Sequence, residues 1–299
     1  MTQTGFGKGI QNRSDERNPF KSYTVVEPLY CSGDAFAGNA TQHWGNETAY
    51  QHGYHNALAT AEWVSANFPE LASLVISGYS AGSLGTMAWA NWLLQRLPHR
   101  KAAVIADSYA AVFPPGTEER IVQAWKTCGT GLWSAALDAK CAEGTLMIKD
   151  AFEEAMRRNP DATFGNIQSK LDRAQQWFYR ALAQSSGLLK EMSLHPEAFY
   201  AKTARLFEEY SRRFPNYVEI FVDGETHVFT AEAHFYTATT AGRVEEAGVS
   251  LHKWVQRMVE GVPDAASACH GLLVRDVNVT GGGKYCDQRL YPKVAVSGS

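Results

Sequence analysis

A serine hydroxyl, an imidazole and a carboxylate do acyl chemistry when a fold brings them together, and one serine in this sequence is placed for it. Ser80 lies in Gly78-Tyr79-Ser80-Ala81-Gly82, after the apolar, β-branched run Leu74, Val75, Ile76 and before the helical pattern "GSLGTMAWANWLL". The stretch therefore reads as strand, sharp turn and helix. In such a turn the hydroxyl points out at the carboxyl edge of a sheet, and glycines at 78 and 82 relieve crowding around it. The N–H of Ala81 and the dipole of the following helix then face the oxygen of a substrate carbonyl as it becomes an oxyanion. Nucleophilic attack on an acyl group is the chemistry this supports; a purely structural turn is the plain alternative.

A serine hydroxyl is a weak nucleophile at neutral pH, so it needs a histidine to take its proton and an acid to orient that histidine. Behind a serine elbow of the α/β-hydrolase kind the chain order is serine, acid, histidine. His227, in the turn after "YVEIFVDGET", has the right position. His234 and His270 come after it, whereas His43, His52, His55, His99, His195 and His252 lie on helices or loops with no strand before them. His43, His52 and His55 have no Cys or carboxylate in useful register for a metal. The acid stays open at this level. Asp172 comes after the strand-like "ATFGNIQSKL", Asp107 ends "AAVIAD", and Asp223 is a weaker candidate only four residues before His227.

Positioning these groups requires a sheet, and strand-like runs do alternate with helical ones. Residues 22–31 read as a strand, 49–69 as a helix stopped by Pro69, 101–113 as a strand stopped by Pro114-Pro115, and 162–182 as a strand-helix pair. Residues 195–214 read as helix, 216–229 as a last strand running into a turn, and 250–261 as an amphipathic helix. That alternation predicts an α/β fold: a mostly parallel sheet with helices on both faces, in one domain over 1–299. Residues 116–158 read as a helical cap insertion, and the tail after Pro263 as loop-rich.

With 299 residues, 45% of them hydrophobic, the chain can bury a sizeable core. A net charge of -3 without a long basic block gives no footprint for nucleic acid. No run of eighteen apolar residues suggests a membrane span, and the polar, Gly-rich amino terminus is not signal-like. The five cysteines form no CxxC pair; their spacing allows two local bridges, Cys128 with Cys141 and Cys269 with Cys286, leaving Cys31 over. Those bridges and four sequons, at Asn12, Asn39, Asn46 and Asn278, fit a secreted protein. Asp34, in "YCSGDAFAGN", either lines a substrate pocket or caps its own loop, and Tyr79 and Trp44 are pocket walls or core filler.

Several segments together resemble the pectin acetylesterase family, which includes animal Notum-type carboxylesterases. They are "NPFKSYTVVEPLYCSGDAFAGN", "SGYSAGSLGTMAWANWL", "LDRAQ", and "HVFTAEAHFY" with "GVSLHKW", in that order. The resemblance implies an α/β-hydrolase-like fold and a triad of Ser80, Asp172 and His227, with Gln175 in the D-x-x-Q segment and His234 as the second histidine. It thereby selects Asp172 over Asp107. It also implies hydrolysis of a carboxylic ester through an acyl-enzyme with no metal or organic cofactor. An O-acetylated polysaccharide such as pectin is the first substrate expectation, and a longer acyl chain the alternative.

In that family a Gly-Gly-rich loop upstream of the "NPF" segment supplies further oxyanion N–H groups, and the cysteine of "YC" tends to pair upstream. Here "GFGKG" at 5–9 resembles the segment downstream of that loop, and Cys31 has no upstream partner. The expectation is that the first strands and this loop are missing from the chain. A non-catalytic binding protein that keeps the fold and the triad is accordingly the reading from another class. Oligomeric state is not legible in the sequence.

Overall fold

Small and β-branched residues from Leu74 onwards alternate with helix-forming stretches, and the computed structural model, which describes residues 7–187, 196–242 and 248–261, turns them into a parallel sheet. The strands are β3 (Leu74–Tyr79), β4 (Ala102–Asp107), β5 (Thr163–Ser169) and β6 (Tyr217–Val222), side by side in that order. Their register aligns the carboxyl ends: Tyr79 lies opposite Asp107, Asp107 opposite Ile167, and Ser169 opposite Val222. Before them, β1 (Ala40–Trp44) and β2 (Glu47–Gln51) form a separate antiparallel hairpin.

Helices α1 (Gly53–Asn67), α2 (Ala81–Arg96), α3 (Glu118–Ala124), α4 (Ala135–Ala142), α5 (Ile148–Arg158), α6 (Arg173–Ser185), α7 (Pro196–Arg213) and α8 (Leu251–Glu260) complete the described elements, with short 3-10 turns at Gly9–Gln11 and Ala233–Tyr236. Side chains alternate across a strand, so each sheet face makes its own core. Ile76, Val104, Phe164, Tyr217 and Phe221 pack one way, with Met87 and Trp89 of α2, Phe152 of α5 and Phe207 and Tyr210 of α7. Ala103, Ile105, Ile167, Ile220 and Val222 pack the other way, with Trp254, Val255 and Met258 of α8. β4 and β6 read as mostly apolar runs because both faces are covered, whereas β5 buries Asn166, Gln168 and Ser169 among its apolar residues. At Gly165 a Cβ would stand 2.7 Å from Met258 Sδ and 3.1 Å from Trp254 Cη2. Its absence lets α8 lie directly on the sheet.

Two sequence expectations about elements fail. Residues 24–31 form no strand: the segment pairs with none among the described residues, and Val25, Val26, Leu29 and Tyr30 are exposed. Pro28 within it lacks a ladder donor, and the stretch is tied down by single bonds, such as Gln11 Nε2 to Glu27 Oε2 at 2.7 Å and Ala35 N to Tyr30 Oη at 3.1 Å. The helix expected from residue 49 instead starts at Gly53, because 47–51 pair with 40–44 across the two-residue turn Gly45-Asn46.

Residues 116–158 hold α3, α4 and α5, and Phe152 of α5 meets Phe164 of β5 edge-on with centroids 5.6 Å apart. The same region contains the Cys128–Cys141 disulfide, in line with the spacing, while Cys31 is exposed and has no disulfide partner among the described residues. The suggested Cys269–Cys286 bridge, Asn278 and His270 lie outside the described residues, as does the side chain of Trp44.

Candidate active site

The end of β3 makes the turn expected of it. Ser80 sits at φ 53°, ψ −123°, a region sparsely populated by residues with a Cβ. Neighbours hold it there: its N–H donates to the Asp107 carbonyl at 2.9 Å, and its own carbonyl accepts from Ser83 N at 2.9 Å as α2 begins. A Cβ on Gly78 would come 2.1 Å from the Gly82 carbonyl oxygen, so that position requires glycine. On Gly82 a Cβ would meet only Phe36 Cε2, at 3.9 Å. Crowding at the elbow is therefore one-sided, not shared by the two glycines. Ala81, the first residue of α2, has an N–H with no carbonyl four residues back to receive it, which leaves it free for an anion at the elbow.

Ser80 Oγ is 2.9 Å from His227 Nε2, and His227 Nδ1 is 2.9 and 3.0 Å from the two oxygens of Asp172. Asp172 is fully buried at the amino end of α6, where Oδ1 accepts from Gln175 N at 2.9 Å and Oδ2 from Gln175 Nε2 at 2.8 Å. Gln175 Nε2 also donates to Gln168 Oε1 at 2.9 Å, and Gln175 Oε1 accepts from Ala110 N at 3.0 Å. The ionised carboxylate only accepts, so the Nδ1 proton of His227 belongs between ring and carboxylate. Nε2 is thereby left to accept a hydrogen bond from the Ser80 hydroxyl. The structure thus brings Ser80, His227 and Asp172 into one hydrogen-bonded series.

The rival acids are placed differently. Asp107 is buried at the end of β4 and its Oδ2 accepts from Phe229 N (2.9 Å), Thr230 N (2.7 Å) and Thr230 Oγ1 (2.7 Å). Its Oδ1 accepts from Ser108 Oγ at 2.6 Å, and that hydroxyl accepts from Val228 N at 3.0 Å. Burial pushes the Asp107 pKa up, against the pull of these donors. Asp223 instead pairs with the buried Lys170, Nζ to Oδ1 2.7 Å. His234 is occupied elsewhere: its Nε2 donates to the Val228 carbonyl at 2.8 Å.

Of the pocket candidates, Asp34 takes the loop-capping role. It is fully buried, with Oδ1 accepting from Ser32 Oγ (2.6 Å) and Phe36 N (3.1 Å) and Oδ2 from Gly53 N (2.8 Å). Its place holding the turn before α1 removes it from any open wall. Tyr79 lies 36% exposed beside the elbow, with its phenol pKa raised first by desolvation and then by Glu27, Glu232 and Asp107. Sequence reading misses Gln168, Ser108 and Thr230. The pairings of Ser108 and Thr230 with Asp107 join separate strand ends, and only a Ser after a strand-ending Asp hints at them.

A mostly parallel sheet with helices on both faces and a serine elbow at its carboxyl edge defines an α/β-hydrolase-like protein. The chain belongs to the pectinacetylesterase family: the family described as Pectinacetylesterase matches residues 1–240. Two crystal forms of the Wnt deacylase Notum from Drosophila share its fold at TM-score 0.54 and 14% sequence identity. The match covers 85% of this chain and 73% of the first, and 90% of this chain and 76% of the second. No curated protein matches the sequence.

Proposed function

We propose that the chain is a serine carboxylic-ester hydrolase working through an acyl-enzyme, with an O-acetylated polysaccharide such as pectin as its substrate. The observation that carries this reading is the unbroken series from Ser80 Oγ through His227 to Asp172, on a strained elbow at a helix amino terminus. Membership of the pectinacetylesterase family supports the acetyl ester as the first substrate class.

In this mechanism Ser80 Oγ attacks the ester carbonyl while His227 Nε2 takes its proton. The carbonyl oxygen becomes an oxyanion that the Ala81 N–H stabilises, and Asp172 holds the imidazolium against it. Collapse breaks the bond to the leaving alcohol, which receives the proton from His227 and departs from an acyl-Ser80. Water then repeats the cycle, giving up its proton to His227, releasing the acid and restoring the hydroxyl. No step needs a metal or an organic cofactor. The Cys128–Cys141 disulfide supports an oxidising, extracellular setting.

Hydrolysis of p-nitrophenyl acetate and p-nitrophenyl octanoate by the chain and by Ser80→Ala tests the reading. Turnover that favours acetate and vanishes in Ser80→Ala is expected. A preference for octanoate would move the substrate to longer acyl chains, the alternative that the resemblance implies. Equal background rates in both proteins would sink the enzyme reading and favour a glycan-binding protein.

A further inference from the structure

The carboxylate that does not touch His227 is bonded to the backbone immediately after it. Val228, Phe229 and Thr230 come next after the imidazole in sequence, and all three backbone N–H groups end on Asp107 or on the Ser108 hydroxyl that Asp107 holds. Val228 has φ 61°, a left-handed conformation that a β-branched residue adopts only under compulsion. The peptide groups on either side of its Cα are both held, by Ser108 Oγ on the Val228 nitrogen and by His234 Nε2 on the Val228 carbonyl. Ser108 is itself at φ 58°. The Asp107 carbonyl, meanwhile, accepts from Ser80 N. One residue is therefore bonded to the nucleophile's peptide by its backbone and to the base's loop by its side chain.

We propose that Asp107 is a positioning residue of the acyl-transfer site, whose carboxylate, acting with Ser108, fixes the strained Val228–Thr230 backbone and so aims the His227 imidazole at Ser80. The inference rests on the function proposed above for Ser80, His227 and Asp172. Four donors converge on Asp107, the three from the 229–230 segment and the Ser108 hydroxyl. Removing the carboxylate frees a backbone that otherwise relaxes to an ordinary φ, and a shift of about 1 Å in a reacting group costs about 10²-fold in rate. A neutral amide of the same shape preserves most of this. In Asp107→Asn the amide oxygen would accept from the Phe229 and Thr230 donors, and the NH2 group would donate to Ser108 Oγ, which keeps a lone pair for Val228 N.

The test compares Asp107→Ala, Asp107→Asn and Asp172→Asn in the full chain. One readout is kcat and KM for p-nitrophenyl acetate. The other needs no turnover: the low-field proton resonance of His227 Nδ1–H, assigned by its loss in His227→Ala. Asp107→Ala is expected to lose about 10²-fold in kcat with KM nearly unchanged and to lose or broaden the resonance, while Asp107→Asn keeps both within a few-fold. If Asp107→Ala does not fold, Ser108→Ala, which releases Val228 N and takes the hydroxyl donor from Asp107 Oδ1 but leaves the Phe229 and Thr230 bonds in place, is expected to lower kcat by about tenfold and weaken the resonance. A folded Asp107→Ala with unchanged kcat and resonance would reduce Asp107 to a core group and overturn the proposal. So would an inactive Asp107→Asn beside an active Asp172→Asn, which would make Asp107 the acid. If the unmodified chain shows the resonance but hydrolyses no ester, the functional reading falls and the resonance alone decides the positioning. Absence of the resonance in the unmodified chain would contradict both.

Discussion

Asp172 performs two tasks with one carboxylate: it caps α6 through Gln175 N and holds the Nδ1 proton of His227. The amide of Asp172→Asn can keep the cap, because one oxygen remains to accept. Its NH2 group, however, would face Nδ1 and drive the imidazole to the tautomer with the proton on Nε2. That form cannot accept from Ser80. Asp172→Asn is therefore expected to lower kcat by about 10⁴-fold with a small change in melting temperature, checked by steady-state kinetics beside thermal unfolding. A loss under tenfold would remove Asp172 from the acid's role. At this scale the sequence is ambiguous for a physical reason. Asp107 and Asp172 end neighbouring strands or the turn just beyond, and which one meets the imidazole depends on the path of the chain after β6, which no local pattern encodes. Resemblance to a family selects Asp172; spacing alone leaves both.

The elbow is an element-level device, and it is the most legible part of the chain. Its parts are adjacent in sequence: an apolar strand, a glycine where a Cβ cannot fit, the serine, and a helix. Gly78→Ala puts a methyl group against the Gly82 carbonyl oxygen, a backbone atom that cannot swing aside. It is expected to cost about 1–3 kcal/mol of stability and to remove turnover, while Gly82→Ala, which meets only the Phe36 ring, stays within about 0.5 kcal/mol of the parent. Denaturant unfolding of the two variants decides; equal stabilities would mean the turn is not crowded as described. Elements whose existence depends on a distant partner are less legible. Residues 22–31 have the composition of a strand but no neighbour to pair with among the described residues. In the β1–β2 hairpin the turn residues Gly45-Asn46 are a local signal, but the short polar strands beside them carry little apolar alternation to reinforce it.

Across the whole molecule, two layers of helices must lie on one sheet, and small residues and buried charges tune how closely they do so. Gly165→Ala would push Met258 and Trp254 of α8 outward and is expected to destabilise by about 1–3 kcal/mol. Met258→Ala should recover part of that loss, so the double variant is less unstable than the sum of the singles, as a double-mutant cycle would show. Strict additivity would mean that α8 does not press on Gly165. On the other side of the sheet, Glu118 of α3 is buried, accepts from Ile148 N at the start of α5, and has its pKa pushed up to about 8, chiefly by burial. An acid whose pKa is raised on folding contributes stability that is full below its unfolded value and is lost as the pH rises through the folded one. Between the ordinary glutamate value of 4.5 and about 8 the native state holds a proton that the unfolded chain has released. Stability should therefore fall over this window, by up to about 1.4 kcal/mol per pH unit from this group. Glu118→Gln should flatten the decline, being closest to the parent near pH 4 and more stable than it at pH 8. Parallel pH–stability curves for the two proteins would contradict the assignment.

The predictions about turnover rest on Ser80 being a nucleophile. The most direct measurement is labelling of the purified chain with a fluorophosphonate, followed by mapping of the modified peptide by mass spectrometry, with Ser80→Ala and His227→Ala alongside. Stoichiometric modification of Ser80, slowed by orders of magnitude in His227→Ala and absent from Ser80→Ala, is the predicted result. A folded chain that remains unmodified, or one labelled at another residue, would contradict the account.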